Sequence, residues 1–214
     1  MKNLEGVLLF FLMVTMVGCP SASRENLAGP DTLEISGPFS HIPSGMKFPQ
    51  TVENFKRSII KRYDVEGTDV SVGYDLYQES KVIAATVYVY PSPSIVSIGS
   101  SSHIVKTAQE TLCLKEFDVR KWEISRAHPG AKLIQEKDVS SPVGRLGLPG
   151  KSAIFEYEDL FAGVRQSLLA RVDLYCYVAG KWNVKYRFSY PATFNAMQDL
   201  SIFKEYLLWP EENP

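Results

Sequence analysis

Hydrophobic and polar residues alternate most regularly toward the C-terminal end of the chain. Leu168, Ala170, Val172, Leu174, Cys176 and Val178 share one side of a two-residue period, and Arg171, Asp173, Tyr175 and Tyr177 share the other. Ala179-Gly180-Lys181 interrupts the run. Trp182, Val184, Tyr186, Phe188 and Tyr190 then alternate against Asn183, Lys185, Arg187 and Ser189, and Pro191 stops the strand. This pattern predicts a long antiparallel hairpin with an apolar face turned inward. Arg171, Tyr175, Tyr177, Lys185 and Arg187 are then expected to share the outward face, a candidate binding surface that mixes aromatic rings with cations.

Further strands are predicted at 69–76, 82–90, 132–139 and 152–159. The second, VIAATVYVY, is apolar on both faces and reads as a central strand. The segment 55–63 fits either a helical stripe through Phe55, Ile59 and Ile60 or a strand. Ile104, Val105, Ala108 and Leu112 repeat at helical spacing behind three serines that can cap, which predicts a helix over 103–120. Ala196, Leu200, Phe203 and Leu207 predict a second helix over 194–208, closed by Pro210. The element set predicts an α+β domain: an antiparallel sheet with helices packed on it, covering residues 46–210. The order of early strands, an intervening helix, a long hairpin and a closing helix resembles the PsbP-like α/β sandwich. That resemblance rests on element order alone and implies non-catalytic accessory work, with no functional residue carried over.

The first 19 residues have a different character. Lys2 precedes a 12-residue apolar run from Gly6 to Val17, too short to span a bilayer and suited to a signal peptide. Met16-Val17-Gly18-Cys19 is similar to the cleavage box of bacterial lipoproteins, in which the cysteine is acylated and becomes the first residue of the mature chain. The resemblance implies a signal peptide over 1–18, a lipid on Cys19 and a membrane anchor of more than one acyl chain. Pro20 after the cysteine implies the outer membrane, facing the periplasm, rather than inner-membrane retention. The alternatives are an ordinary secretory signal cleaved near Gly18 or Ala22 and an uncleaved anchor. Residues 19–45 are rich in Pro, Ser and Gly and are expected to form a flexible tether.

Composition sharpens this picture mainly by exclusion. The chain has 214 residues, 45% hydrophobic and 22% charged, which is ordinary for a globular domain. Its formal net charge of −1 argues against a nucleic-acid partner. Once Cys19 is used as an anchor, Cys113 and Cys176 remain, either as a disulfide that an oxidising compartment permits or as two buried thiols. Gly150-Lys151-Ser152 imitates the end of a phosphate loop, but Arg145 stands where its first glycine is required and a strand follows, so no nucleotide is expected. His41, His103 and His128 lack metal-ligand spacing, and neither a metal nor a cofactor is expected.

Glu156 and Glu158 share a strand face, an arrangement that cross-strand ion pairing explains without catalysis. Two loops carry apolar residues: Ile95, Val96 and Ile98 in one, Val143, Leu146 and Leu148 in the other. The expectation is therefore a lipid-anchored cell-envelope protein with no reaction of its own, which binds an envelope partner through the sheet face and these loops. Two other functions fit less of the sequence. One is an envelope hydrolase using Glu156, Glu158, His103 or His128; the other is a carrier for a hydrophobic ligand.

Overall fold

The computed structural model describes residues 29–78, 81–96, 99, 101–142, 147–207 and 209–210. The expected signal peptide over 1–18 and the expected lipid site Cys19 lie outside the described residues, as do Ile98, Val143 and Leu146.

Among the described residues, eleven strands and two helices follow one another. Four short strands come first: β1 (Asp31–Thr32), β2 (Phe39–His41), β3 (Met46–Phe48) and β4 (Thr51–Val52). Then come β5 (Phe55–Arg62), β6 (Val70–Gln78), β7 (Lys81–Pro91) and α1 (Ser102–Ala127). The chain closes with β8 (Lys132–Ser140), β9 (Pro149–Phe161), β10 (Val164–Val178), β11 (Trp182–Pro191) and α2 (Met197–Tyr206). The architecture is α+β but mostly sheet. A nine-stranded antiparallel sheet runs β1-β5-β6-β7-β11-β10-β9-β8, with β4 beside β5, and β2-β3 form a separate hairpin. The ambiguous segment 55–63 is thus a strand, and its helical spacing is incidental to a pairing with β6. Ser101 occupies the N-cap of α1 without a side-chain capping bond; its carbonyl accepts from Ile104 and Val105 instead.

The tether expected over 19–45 is corrected in its C-terminal part. β1 pairs with β5, and His41, Ser44, Met46 and Phe48 are buried. The Arg57 guanidinium gathers this polar, Gly/Pro-rich segment by donating to the carbonyls of Ile35 (2.8 Å), Gly37 (2.7 Å) and Phe48 (3.0 Å). His41 fixes it further. Its Nε2 donates to the Gly67 carbonyl at 2.9 Å, and its Nδ1 accepts from the Ser44 hydroxyl at 2.6 Å. Order here comes from side-chain bonds to carbonyls, which leave no hydrophobic period to read.

The two faces of the sheet are apolar on opposite halves. On the α2 side the core is built by β6, β7 and β11, with Tyr74, Val87, Tyr186 and Phe188 packed under Phe203 and Trp209. On the α1 side it is built by β9 and β10, with Phe155, Leu168, Val172 and Leu174 under Phe117 and Ile124. The changeover lies between β10 and β11, and a single bulge causes it. Val178 pairs with Trp182, but three residues on is Tyr175, which pairs with Val184, two residues on. A regular hairpin starting from Val178–Trp182 would set Leu174 opposite Tyr186. The extra residue sets it opposite Lys185 instead. A one-residue change of register turns every side chain of a strand to the other face. Tyr177 and Ala179, with φ of 54° and 48°, absorb the bend.

Candidate functional site

The bulge divides the expected binding face. Arg171 and Tyr175 point to the α2 side of the sheet, and Lys185 and Arg187 to the α1 side. Arg171, Tyr175 and Lys185 are also buried rather than outward, and Arg187 is half-buried. Tyr177 is half-buried at the bulge, where its hydroxyl donates to the Pro93 carbonyl at 3.2 Å. The five residues therefore form no single surface, and the expectation of one is corrected.

On the α2 side, Tyr175 is part of the core. Its ring meets Trp209 at 4.8 Å, and its hydroxyl donates to the Ser140 carbonyl at 3.2 Å. It also explains Gly150. A Cβ at that position would stand 2.5 Å from the Tyr175 ring and 2.8 Å from the Leu174 carbonyl oxygen. The glycine of the Gly150-Lys151-Ser152 sequence is required by packing, and all three residues lie in β9 rather than at a helix N-terminus. Beside Tyr175, Asp173 is fully buried and holds two cations, Arg171 Nε at 2.7 Å and Lys204 Nζ at 2.9 Å. Burial pushes this carboxyl up, but Lys204 and Arg171 outweigh it and keep the group below the ordinary aspartate value, hence ionised.

On the α1 side, Lys185 lies beneath the flank of the helix with its ammonium 3.8 Å from the centre of the Tyr88 ring. Glu116, Arg120 and Glu123 descend toward it at helical spacing. The Tyr90 hydroxyl donates to Glu116 at 2.6 Å, Arg120 bridges Glu116 and Glu123, and Glu123 lies 3.7 Å from Lys185. Burial above all, then the Arg120 charge, pushes Lys185 down to about 8, with Glu123 opposing. At the end of the helix His128 stacks on Tyr157 at 3.9 Å, lies 3.3 Å from Asp159, and accepts from Arg187 at 3.3 Å. Burial and then Arg187 lower its pKa, so the ring is neutral near neutral pH. This cluster escaped notice in the sequence because Glu116, Arg120 and Glu123 sit in the second half of α1, past Leu112, where the apolar stripe of the first half is not continued. Their i, i+4, i+7 spacing was the available signal.

The other candidate acid–base groups do not converge. Glu156 and Glu158 are exposed on β9, and Glu156 accepts from Ser167 at 2.9 Å. His103 and His128 stand at opposite ends of α1, about 38 Å apart along a helix of this length. Cys113 of α1 and Cys176 of β10 are bonded to each other, with Cα atoms 5.8 Å apart. Among the described residues no group of His, Cys, Asp and Glu is placed to hold a metal ion, and no helix is long and apolar enough to cross a membrane.

A third feature is apolar. Where the 91–96 loop runs beside the first half of α1, Ile95, Ile104, Ala108 and Leu112 line an open groove of about 710 Å³. Ile104 is 59% exposed and Val96, next to the groove, 83% exposed. Two of the apolar loop residues named from sequence therefore lie at or beside a concave surface. Leu148, of the second loop, packs against the core instead.

No family model, no curated protein and no solved structure matches the chain.

Proposed function

We propose that the chain is a lipid-anchored, extracytoplasmic binding protein with no reaction of its own, which grips an apolar segment of an envelope partner along α1. The observation that carries this reading is the open groove of about 710 Å³ lined by Ile95, Ile104, Ala108 and Leu112. It is apolar, large enough for several side chains, and bordered by the exposed Ile104 and Val96. The separation of Glu156, Glu158, His103 and His128 favours binding over hydrolysis. The anchor half of the proposal rests on Met16-Val17-Gly18-Cys19, and the outer-membrane assignment on Pro20. The element order, with α1 between the long strands β5–β7 and the later strands β8–β11 and with α2 at the end, supports the likeness to the PsbP-like sandwich.

A photocrosslinker at Thr107, on the groove wall, tests the groove, and a Cys19→Ser variant tests the anchor. The expected outcome is a reproducible adduct that Ile104→Glu abolishes while the unfolding free energy stays within the range of a surface change, about 0.5 kcal/mol. Cys19→Ser should move the protein from the membrane to the soluble fraction. An adduct indifferent to Ile104→Glu would overturn the groove, and an unchanged membrane fraction would overturn the anchor.

A further inference from the structure

A second concave surface lies on the other side of the sheet, between β8 and α2, and its chemistry is the reverse of the first. It is a groove of about 310 Å³ bordered by Lys137, Ser140, Arg171, Met197, Ser201 and Lys204. Three elements each contribute one cation: β8 gives Lys137, β10 gives Arg171 and α2 gives Lys204. The strand register aligns its floor. Lys137 is opposite Ser152 on β9, which is opposite Asp173 on β10, so one row of the sheet passes beneath the groove.

The charges here do not cancel. Asp173 supplies one negative charge to Arg171 and Lys204, so the buried triad keeps a net positive charge. Arg171 uses Nε for Asp173 and Nη1 for the Met197 sulfur at 3.3 Å; no described residue accepts from its Nη2. Lys204 spends one of its three donors on Asp173. Asp138, which also borders the groove, is paired with Lys151 at 2.5 Å, and Glu205 accepts from the Ser201 hydroxyl at 3.1 Å. A guanidinium with 5% of its side chain exposed and an ammonium with 12% have lost most of their water, and both are locked in place by the same carboxylate. Such cations favour an anion brought to them, because the cost of ordering them is already met.

We propose that this groove binds the phosphate group of a small ligand. Its volume is near the lower end for ligand sites, which runs from about 300 Å³. The cations come from three separate elements, two strands of the sheet and the helix above them. That arrangement suits the several acceptor oxygens of a tetrahedral phosphate better than the two coplanar oxygens of a carboxylate. Lys137, on the exposed edge strand, steers the anion in; Arg171 and Lys204 hold it. The site is independent of the apolar groove, which lies against α1 on the opposite side of the sheet.

Inorganic phosphate titrated into the detergent-solubilised, full-length protein should shift the side-chain NMR signals of Arg171 and Lys204 along a saturating curve, with a dissociation constant in the millimolar range or tighter. Lys137→Gln should weaken binding about three- to fivefold and leave the melting temperature unchanged, since the residue is exposed. Lys204→Gln should weaken it about tenfold. If that variant is too unstable to titrate, Lys137→Gln still decides. Acetate should bind several times more weakly. Shifts that do not saturate, or that saturate equally in wild type and Lys137→Gln, overturn the site; equal binding of acetate overturns its assignment to phosphate. Glycerol phosphate and phosphatidylglycerol-doped micelles separate the sources. Shifts reproduced by the doped micelles mean a lipid headgroup, and shifts confined to the soluble phosphates mean a free phosphate ester. Either result supports the site.

Discussion

Lys185 shows what a single residue can do to the stability profile. Its ammonium is buried over Tyr88 and among Arg120, Glu123 and Arg187, and its pKa is pushed from the ordinary 10.5 to about 8. Above pH 8 the folded protein releases this proton while the unfolded chain still holds it. The unfolded state then binds more protons, so stability rises with pH. The rise should continue from about pH 8 until the tyrosines begin to ionise. Burial raises the pKa of Tyr90 above that of the unfolded chain, so from near pH 10 the trend reverses. Chemical denaturation at a series of pH values should show this rise, and Lys185→Met should flatten it. A profile equally steep in the variant would mean that another group titrates there.

The β10–β11 hairpin shows how one element can be read correctly and placed wrongly. Its strands, turn and alternation were all legible, because Leu168 to Val178 and Trp182 to Tyr190 keep a strict two-residue period. The bulge near Tyr177 was not, since neither residue type nor spacing marks it; only pairing with β11 exposes the extra residue. All inference about the shared face of Arg171 and Lys185 depended on that one residue. α1 erred differently. It extends to Ala127, beyond the expected end near 120, because its last two turns carry Glu123 and Ile124 to the sheet without a regular apolar stripe. The Cys113–Cys176 bond fastens this helix to β10 and closes a loop of 63 residues. Breaking it with Cys113→Ala/Cys176→Ala should lower the unfolding free energy by about 4 kcal/mol in the chain-entropy limit, and by less if packing adjusts. Urea unfolding of the double variant under oxidising conditions measures the difference.

For the whole molecule, the opposed apolar halves mean that neither helix covers a complete face. α2 and the first 20 described residues close one diagonal half, α1 closes the other, and the polar halves left over hold the Lys185 cluster and the phosphate groove. The Lys185 cluster and the cationic groove are therefore by-products of the bulge: each is the polar remainder of a face whose other half is core. None of this was legible in the sequence, because it depends on which strands become neighbours. The N-terminal segment was equally hidden, since Arg57 and His41 hold it through backbone carbonyls. Arg57→Met should loosen it, lowering stability by about 1–3 kcal/mol. Hydrogen exchange should quicken first at residues 35–48, and exchange unchanged there would mean that β1 and the buried Met46 and Phe48 suffice.

Fixing that segment to the sheet also shortens the leash. If lipid holds Cys19, only the ten steps from Cys19 to Gly29 separate the acyl chains from the described fold, at most about 35 Å when fully drawn out. The leash is attached at the β1 end of the sheet, while β8 and the phosphate groove lie at the other end, seven strand spacings or about 33 Å away. Under the proposed anchoring, the lipid end would be committed to the bilayer that holds it. The cationic end can swing out toward whatever lies across the gap, and how far it reaches is set by the width of the sheet as much as by the length of the leash.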